Sequence, residues 1–207
     1  MVNLISLTAR PVRAKGLNKL AIPREQKVKE YFFSEDYCNL ELLQDVSVIN
    51  YSETASLFYP GCGADILFPL KYIERLFPRL RKISLTFNDV DNNLSMIKTI
   101  LDDIGISFSE KKNGIDFYWK NILVDLNFIT GNVFQLLPKL PKFDIYFERA
   151  FRIMKGDHQG YEEMIYTKLN HGGILISDSG FQQLPLQKIK VSQGLSSYRE
   201  MIIGVKK

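Results

Sequence analysis

From residue 55 onwards, short apolar segments alternate with segments whose apolar residues recur every three or four positions. The short segments are residues 55–59, 83–87, 143–147 and 174–176, and their continuous apolar character is typical of strands buried on both faces. The helical segments place apolar residues on one face, at positions 66, 70, 73 and 77 and at positions 94, 97, 101 and 104. This alternation predicts an α/β fold, a doubly wound and mostly parallel sheet with helices on both faces.

Three regions depart from this alternation. Asn113-Gly114 lies between apolar runs, which is typical of a hairpin, so we expect a β-rich insertion at about residues 106–129. Residues 188–191 and 200–205 flank Gly194 and predict a terminal antiparallel hairpin. Residues 1–54 combine a basic arm with two short helical patterns, which predicts an N-terminal helical extension before an α/β domain at 55–207.

The composition limits the classes of function. The 207 residues are 45% hydrophobic and carry a net charge of +4 without a long basic run, so a nucleic-acid partner is not indicated. No apolar run has the length of a membrane span, and the first residues lack the pattern of a secretory signal, so we expect a cytoplasmic protein and no membrane partner. Cys38 and Cys62 are too few for a disulfide framework or a zinc site and are expected to be reduced. The oligomeric state is left open.

A glycine turn ends the first predicted strand. Gly61 and Gly63 have no Cβ, so the backbone can turn sharply there and approach a ligand closely. The helix that follows directs its free N–H groups to the same place. Asp89 ends the next strand, where a carboxylate can accept both hydroxyl groups of a ribose. Together these residues predict a nucleoside-containing cofactor at the carboxyl ends of the strands.

The order of these features resembles the class I S-adenosylmethionine-dependent methyltransferases. The resemblance covers about residues 55–207, and the segments that carry it are the glycine turn and residues 88–91, 130–134, 143–147, 173–176 and 200–207. It implies a Rossmann-like methyltransferase fold that ends in one antiparallel strand, with S-adenosylmethionine as the cofactor. A nicotinamide-dependent oxidoreductase is a weaker alternative, because Ile66 stands where that fingerprint has a later glycine.

The resemblance also implies roles for single residues. Asp89 would hold the ribose hydroxyls and Val90 would pack on the adenine, while Asn132 would accept from the adenine amino group beside an apolar wall at Val133. The expected cofactor contacts are Tyr59, Pro60, Gly61, Cys62, Gly63, Asp65, Asp89, Val90, Asn132, Val133 and Glu148. The candidate catalytic residues are Glu148 and Arg149, at the end of the fourth strand, and His158, in the polar loop that follows.

Several residues depart from the family's pattern. Tyr59 occupies the place of an acidic residue, and Asp65, which is also a candidate helix N-cap, occupies the place of a third glycine. Arg149 stands where metal-dependent members have an aspartate, and a guanidinium cannot ligate magnesium, so we expect a metal-independent enzyme without a metal site. The acceptor is not defined, although a small molecule is favoured. The alternative function is a catalytically inactive, methyltransferase-like binding or scaffold module.

Overall fold

A computed structural model describes residues 8–207. Residues 1–7, which begin the expected extension and on which the expected absence of a secretory signal rests, lie outside the described part. The strands are β1 (Thr54–Pro60), β2 (Lys82–Asp89), β3 (Phe108–Lys111), β4 (Gly114–Trp119), β5 (Ile122–Thr130), β6 (Phe143–Glu148), β7 (Leu169–Ser177), β8 (Leu186–Ile189) and β9 (Ile202–Lys206). The helices are α1 (Glu25–Glu30), α2 (Ser34–Asn39), α3 (Leu67–Leu76), α4 (Leu94–Asp103), α5 (Val133–Leu136), α6 (Arg152–Gly156) and α7 (Tyr161–Lys168).

The strands of residues 8–207 form one sheet in the order β3-β4-β5-β2-β1-β6-β7-β9-β8. Five of them, β1, β2, β5, β6 and β7, are parallel to one another. Numbered along the chain, these parallel strands lie in the order 3-2-1-4-5, which is a doubly wound arrangement with its switch point between β1 and β6. β9 is antiparallel to both β7 and β8, so the predicted terminal hairpin and closing antiparallel strand are confirmed.

The helices on the sheet follow the predicted apolar faces. The side chains of Ile66, Leu70, Ile73 and Phe77 are buried along α3 and its ends, as are those of Ile97, Leu101 and Ile104 along α4. Gly105 adopts a left-handed conformation and ends α4, as the sequence predicts. None of the helices within residues 8–207 is both long and apolar enough to cross a membrane.

The region expected as a β-rich insertion has two parts. β3 and β4 form the predicted hairpin, and β4 continues the sheet by pairing with β5 in the antiparallel direction. β5 itself pairs in parallel with β2 along its length, from Lys82 opposite Leu123 to Asp89 opposite Thr130. The segment added to the doubly wound sheet is therefore the β3–β4 hairpin, and the rest of the 106–129 region contains the third parallel strand. Sequence pattern alone does not reveal which neighbour a buried strand pairs with.

The described part of the N-terminal extension packs against α4 and the glycine turn. The backbone N–H groups of Lys15 and Gly16 donate to the carbonyl oxygen of Phe108, and that of Arg24 donates to Ile104 over 2.8 Å. The two expected helices are present as α1 and α2, followed by a 3-10 turn at Leu40–Asp45. This course brings the connection between α1 and α2 to the carboxyl end of β1.

Candidate functional site

The glycine turn after β1 has two left-handed residues with different surroundings. Gly61 has a φ of 58° and Gly63 a φ of 51°, a conformation that favours glycine. A Cβ at position 61 would overlap the ring of Phe151, whereas a Cβ at position 63 would meet no atom within 4 Å. Gly61 therefore makes room for a neighbouring side chain, and Gly63 borders open space that a ligand can fill.

Asp89 is held beside this turn at the end of β2. Its Oδ2 accepts a hydrogen bond from the backbone N–H of Gly63 over 2.7 Å. The neighbouring Asn88 is 1% exposed, and its amide group donates to two backbone carbonyl oxygens at and just after the end of β5, each over 2.9 Å. These bonds fix the end of β2, and the carboxylate of Asp89 keeps free lone pairs for further donors.

Two cavities adjoin at the turn. The first, of about 340 Å³, lies between the turn, α3 and the N-terminal extension; we call it the Arg149 cavity because Arg149 lines it with Asp36 and Asp65. The second, of about 310 Å³, lies between the turn and the ends of β2 and β5; we call it the Asn132 cavity. Gly61 and Asp89 line both, so an acceptor of hydrogen bonds stands where the two cavities meet.

The Asn132 cavity has mostly apolar walls. Val90 is 68% exposed and Met154 is 42% exposed at this cavity, although both are apolar, and Val133 forms a buried part of its wall. The side-chain oxygen of Asn132 accepts from the N–H of Phe134 over 2.9 Å and so caps α5. The cavity thus combines exposed apolar side chains with the amide groups of Asn88 and Asn132, which suits a flat, mainly apolar ring with polar edges.

Asp65 is the carboxylate of the Arg149 cavity that lies closest in sequence to the turn. Its Oδ2 accepts from the hydroxyl of Tyr59 over 2.8 Å, and its Oδ1 accepts from the N–H of Phe68 over 3.1 Å in the first turn of α3. Asp65 thus accepts from the first turn of α3, although the N-cap position itself is Ile66, one residue later. Burial raises the pKa of Asp65 above its ordinary value of 3.8, while the charge of Arg149 acts in the opposite direction.

Arg149 supplies the positive charge of this cavity. Its Nη2 donates to Oδ1 of Asp36 over 2.7 Å, and its guanidinium lies 3.5 Å from the centre of the Phe68 ring. Burial alone would lower the pKa of Arg149, but Asp65 and Asp36 outweigh it and raise the pKa above its ordinary value. The group therefore stays charged and cannot act as a general base.

Glu148 lies on the other face of β6. Successive strand residues point to opposite faces, so Glu148 shares a face with Tyr146 while Arg149 points into the cavity. The carboxylate is 1% exposed, accepts from the hydroxyls of Ser177 over 2.6 Å and Tyr146 over 2.5 Å, and forms an ion pair with Lys155. Burial raises its pKa, opposed by Lys155. Glu148 therefore lines neither cavity, and its expected contact with the cofactor stays a prediction.

Of three other expected residues, His158 and Pro60 line neither cavity, whereas Cys62 lines the Arg149 cavity. The ring of His158 stacks on Phe134 with centroids 3.3 Å apart and borders a separate cavity, so His158 lines neither of the two described above. Pro60 is buried at the end of β1 and also lines neither cavity. Cys62 lines the Arg149 cavity, but it is buried, and burial together with the charge of Asp89 raises the pKa of its thiol. These effects favour the protonated thiol over the thiolate.

The cavities also contain residues that sequence reasoning missed. Phe151 and Met154 reach the Asn132 cavity from the segment after β6. Tyr31 and Asp36 reach the Arg149 cavity from the N-terminal extension. A run of three aromatic residues at positions 31–33 is the signal that marks the extension's contribution, but only the folded chain shows what it faces.

The sheet order decides the fold type. The doubly wound order 3-2-1-4-5, the closing antiparallel β9 and the ligand-sized cavities at the carboxyl ends of β1 and β2 occur together. The fold is a doubly wound, mostly parallel α/β sheet that is closed by an antiparallel strand. No protein-family model and no curated protein matches the sequence.

Several solved structures are similar to this chain. MnmC2 from Aquifex aeolicus shares 11% identity over 85% of this chain and 58% of that chain, with a TM-score of 0.47. A TehB-like SAM-dependent methyltransferase from Corynebacterium glutamicum shares 10% identity over 88% and 93%, with a TM-score of 0.44. A SAM-dependent methyltransferase from Thiobacillus denitrificans, in complex with S-adenosyl-L-homocysteine, shares 16% identity over 76% of this chain and 56% of that chain, with a TM-score of 0.42. The chain thus spans a little more than half of the Aquifex and Thiobacillus proteins.

Proposed function

We propose that this protein binds S-adenosylmethionine and transfers its methyl group to an acceptor without a metal ion. The observation that carries the proposal is the pair of cavities that meet at Gly61 and Asp89. One cavity suits a nucleobase and the other is charged, and Asp89 stands between them as an acceptor for ribose hydroxyls. This arrangement matches the three parts of the cofactor in their covalent order.

The side chains at the two cavities fit the cofactor in chemical terms. Asp89 would accept the ribose hydroxyls through the lone pairs that Gly63 leaves free. Val90 and Val133 would cover the adenine, and Asn132 would use its second lone pair for the adenine amino group. The cofactor, when bound, supplies an electrophilic methyl group on a sulfonium. The protein's contribution is to bind, orient and exclude water, since such a displacement depends strongly on proximity and orientation.

The acceptor would enter the Arg149 cavity on the side of the N-terminal extension, beside the amino-acid end of the cofactor. Tyr31, Phe33 and Asp36 of the N-terminal extension line it opposite the glycine turn, so the acceptor would contact both. The cavity measures about 340 Å³ in all, and the part that the cofactor leaves free favours a small molecule or a single side chain. A metal-independent reaction is proposed because Arg149, a cation, points into this cavity at the end of β6.

The proposal is tested by calorimetric titration with S-adenosylhomocysteine. Asp89→Ala is expected to weaken binding by at least tenfold, because each hydrogen bond to a charged group contributes about 1.5–3 kcal/mol. Asp91→Ala is the matched control, because it also removes one carboxylate. The side chain of Asp91 lies two residues further along the chain and lines neither cavity, so this variant should bind like the wild type. Folded wild-type protein that shows no binding at millimolar ligand would contradict the proposal.

A second candidate function is a binding or scaffold module that no longer catalyses. Two observations favour it: the ring of Phe151 covers Gly61, and the carboxylate of Asp89 already accepts from Gly63. This function predicts no affinity for S-adenosylhomocysteine and no effect of Asp89→Ala on binding of a protein partner. The same titration therefore separates the two candidates.

A further inference from the structure

The Arg149 cavity contains two opposite charges that do not form a direct ion pair with each other. Within residues 8–207, Arg149 forms its ion pair with Asp36, from Nη2 to Oδ1 over 2.7 Å, and forms none with Asp65. Both side chains line the same cavity, and each influences the ionisation of the other. The cavity therefore presents a carboxylate and a guanidinium with space between them.

Asp65 is held in place by bonds that leave it free to accept more. The hydroxyl of Tyr59 donates to Oδ2 over 2.8 Å, and the N–H of Phe68 donates to Oδ1 over 3.1 Å. Two carboxylate oxygens offer about four acceptor sites, so each oxygen can still accept a donor from a ligand. Tyr59 brings no charge of its own to this cavity, and its hydroxyl serves to orient Asp65.

Arg149 is held in an equally defined position. Its guanidinium lies 3.5 Å from the centre of the Phe68 ring and uses Nη2 for Asp36. A guanidinium has five N–H donors, so donors remain for a carboxylate from a ligand. Phe68 thus contacts the guanidinium with its ring and Asp65 with its N–H, which fixes the two charges relative to each other.

We propose that Asp65 and Arg149 together bind the amino-acid end of the cofactor, with the ammonium group on Asp65 and the carboxylate on Arg149. The assignment rests on the proposed function, because it takes the nucleoside to occupy the Asn132 cavity. An α-amino acid group carries both charges on one carbon, which complements a fixed pair of opposite charges. The carboxylate would also compete with Asp36 for Arg149, so loosening that ion pair favours the ligand.

The test compares two ligands that differ in the amino-acid end. S-Adenosylhomocysteine has it, whereas 5′-methylthioadenosine keeps the nucleoside and the sulfur but lacks it. Wild-type protein should bind S-adenosylhomocysteine at least tenfold more tightly. Asp65→Asn keeps the shape and an acceptor for Phe68 but loses the charge. We expect Asp65→Asn to weaken the binding of S-adenosylhomocysteine by about 10- to 100-fold and to leave the affinity for 5′-methylthioadenosine unchanged. Unchanged affinity for the second ligand would also show that the variant is folded.

Three further variants sharpen the comparison. Arg149→Met should reduce the preference for S-adenosylhomocysteine in the same way as Asp65→Asn. Asp36→Asn should increase the affinity for S-adenosylhomocysteine by a few-fold, because it frees the guanidinium of Arg149. Glu35→Gln removes an exposed charge next to Asp36 that lines neither cavity, and it should leave both ligands unchanged.

The outcomes separate this inference from the proposed function. If wild-type protein binds neither ligand, the proposed function fails and the inference fails with it. If it binds S-adenosylhomocysteine but Asp65→Asn keeps the wild-type preference, the inference is overturned while the proposed function stands. If Asp36→Asn lost as much affinity for S-adenosylhomocysteine as Asp65→Asn does, the ammonium group would lie on Asp36, and the inference would be overturned. An equal loss of affinity for both ligands in Asp65→Asn would also overturn the inference.

Discussion

At the scale of single residues, the glycine turn depends on two positions that need glycine for different reasons. Gly61 faces Phe151, so a side chain there would displace a packed ring. Gly63 faces open space, so only its left-handed backbone and the approach of a ligand restrict it. The two positions can therefore be separated by experiment.

Gly63→Ala is expected to lower the free energy of unfolding by about 1–2 kcal/mol, because a residue with a Cβ is strained in the left-handed conformation. Its affinity for S-adenosylhomocysteine should fall by more than this change in stability explains, since the new methyl group enters the space kept for the ligand. Urea unfolding and calorimetric titration measure the two effects. Gly61→Ala is the comparison, and it should lose more stability because it also displaces Phe151. Wild-type affinity in Gly63→Ala would show that no ligand approaches this residue.

The positions of site residues were predictable where the signal is local in sequence. Gly61, Gly63, Asp89, Val90 and Asn132 follow directly from the ends of strands, and all of them lie at the two cavities. Their contacts with a cofactor stay predictions.

The face of the sheet on which Glu148 lies was not predictable, because β6 is buried on both faces, as its apolar neighbours show. A strand of this kind has no polar and apolar alternation that reveals which face a terminal residue takes.

At the scale of secondary-structure elements, polar contacts fix the segment that follows β6. The N–H of Ala150 donates to Oδ2 of Asp178 over 2.8 Å, although Ala150 has a φ of 56° that a non-glycine residue rarely adopts. The ion pair between Glu148 and Lys155 lies on the same side of the sheet as the core around Tyr146. These contacts fix the direction in which Arg149 leaves β6.

Asp144 connects three strands at the other end of the sheet. Its Oδ2 accepts from the N–H and the hydroxyl of Ser56, and its Oδ1 accepts from the amide of Asn170, each over 2.8 Å. Burial acts to raise its pKa, but these hydrogen bonds outweigh it and hold the pKa below the ordinary value of 3.8. The charged form is therefore favoured in the folded protein.

Asp144→Asn is expected to lower the free energy of unfolding at pH 7 by about 1–3 kcal/mol, because an amide accepts fewer of these bonds. The pKa of Asp144 is lower when folded than when unfolded, so its stabilising contribution is present above pH 3.8 and is lost as the pH falls through the folded value. Urea unfolding of both proteins across this range should show the difference shrinking in acid. A difference that stays constant would contradict the assignment.

The elements themselves were largely predictable because apolar periodicity is strong in α3, α4 and the parallel strands. The role of β5 was not, because its apolar residues suit an inserted hairpin and a parallel strand equally well. Its partner is decided by the long-range pairing with β2.

At the scale of the whole molecule, the N-terminal extension completes the site. Its described part is tied to α4 by ion pairs such as that between Arg10 and Asp102, over 2.8 Å, and it brings Tyr31 and Asp36 to the Arg149 cavity. The sequence predicts its helices but not this location, since the contacts join residues far apart in the chain. The extension and the carboxyl end of β1 together line one cavity, although they are far apart in the sequence.

A single cofactor is expected to span both cavities across Gly61 and Asp89. A crystal structure with S-adenosylhomocysteine tests this most directly. The predicted result places the adenine in the Asn132 cavity, the ribose hydroxyls on Asp89 and the amino-acid end in the Arg149 cavity. Density for the ligand elsewhere, or both cavities free of ligand at a saturating concentration, would contradict it.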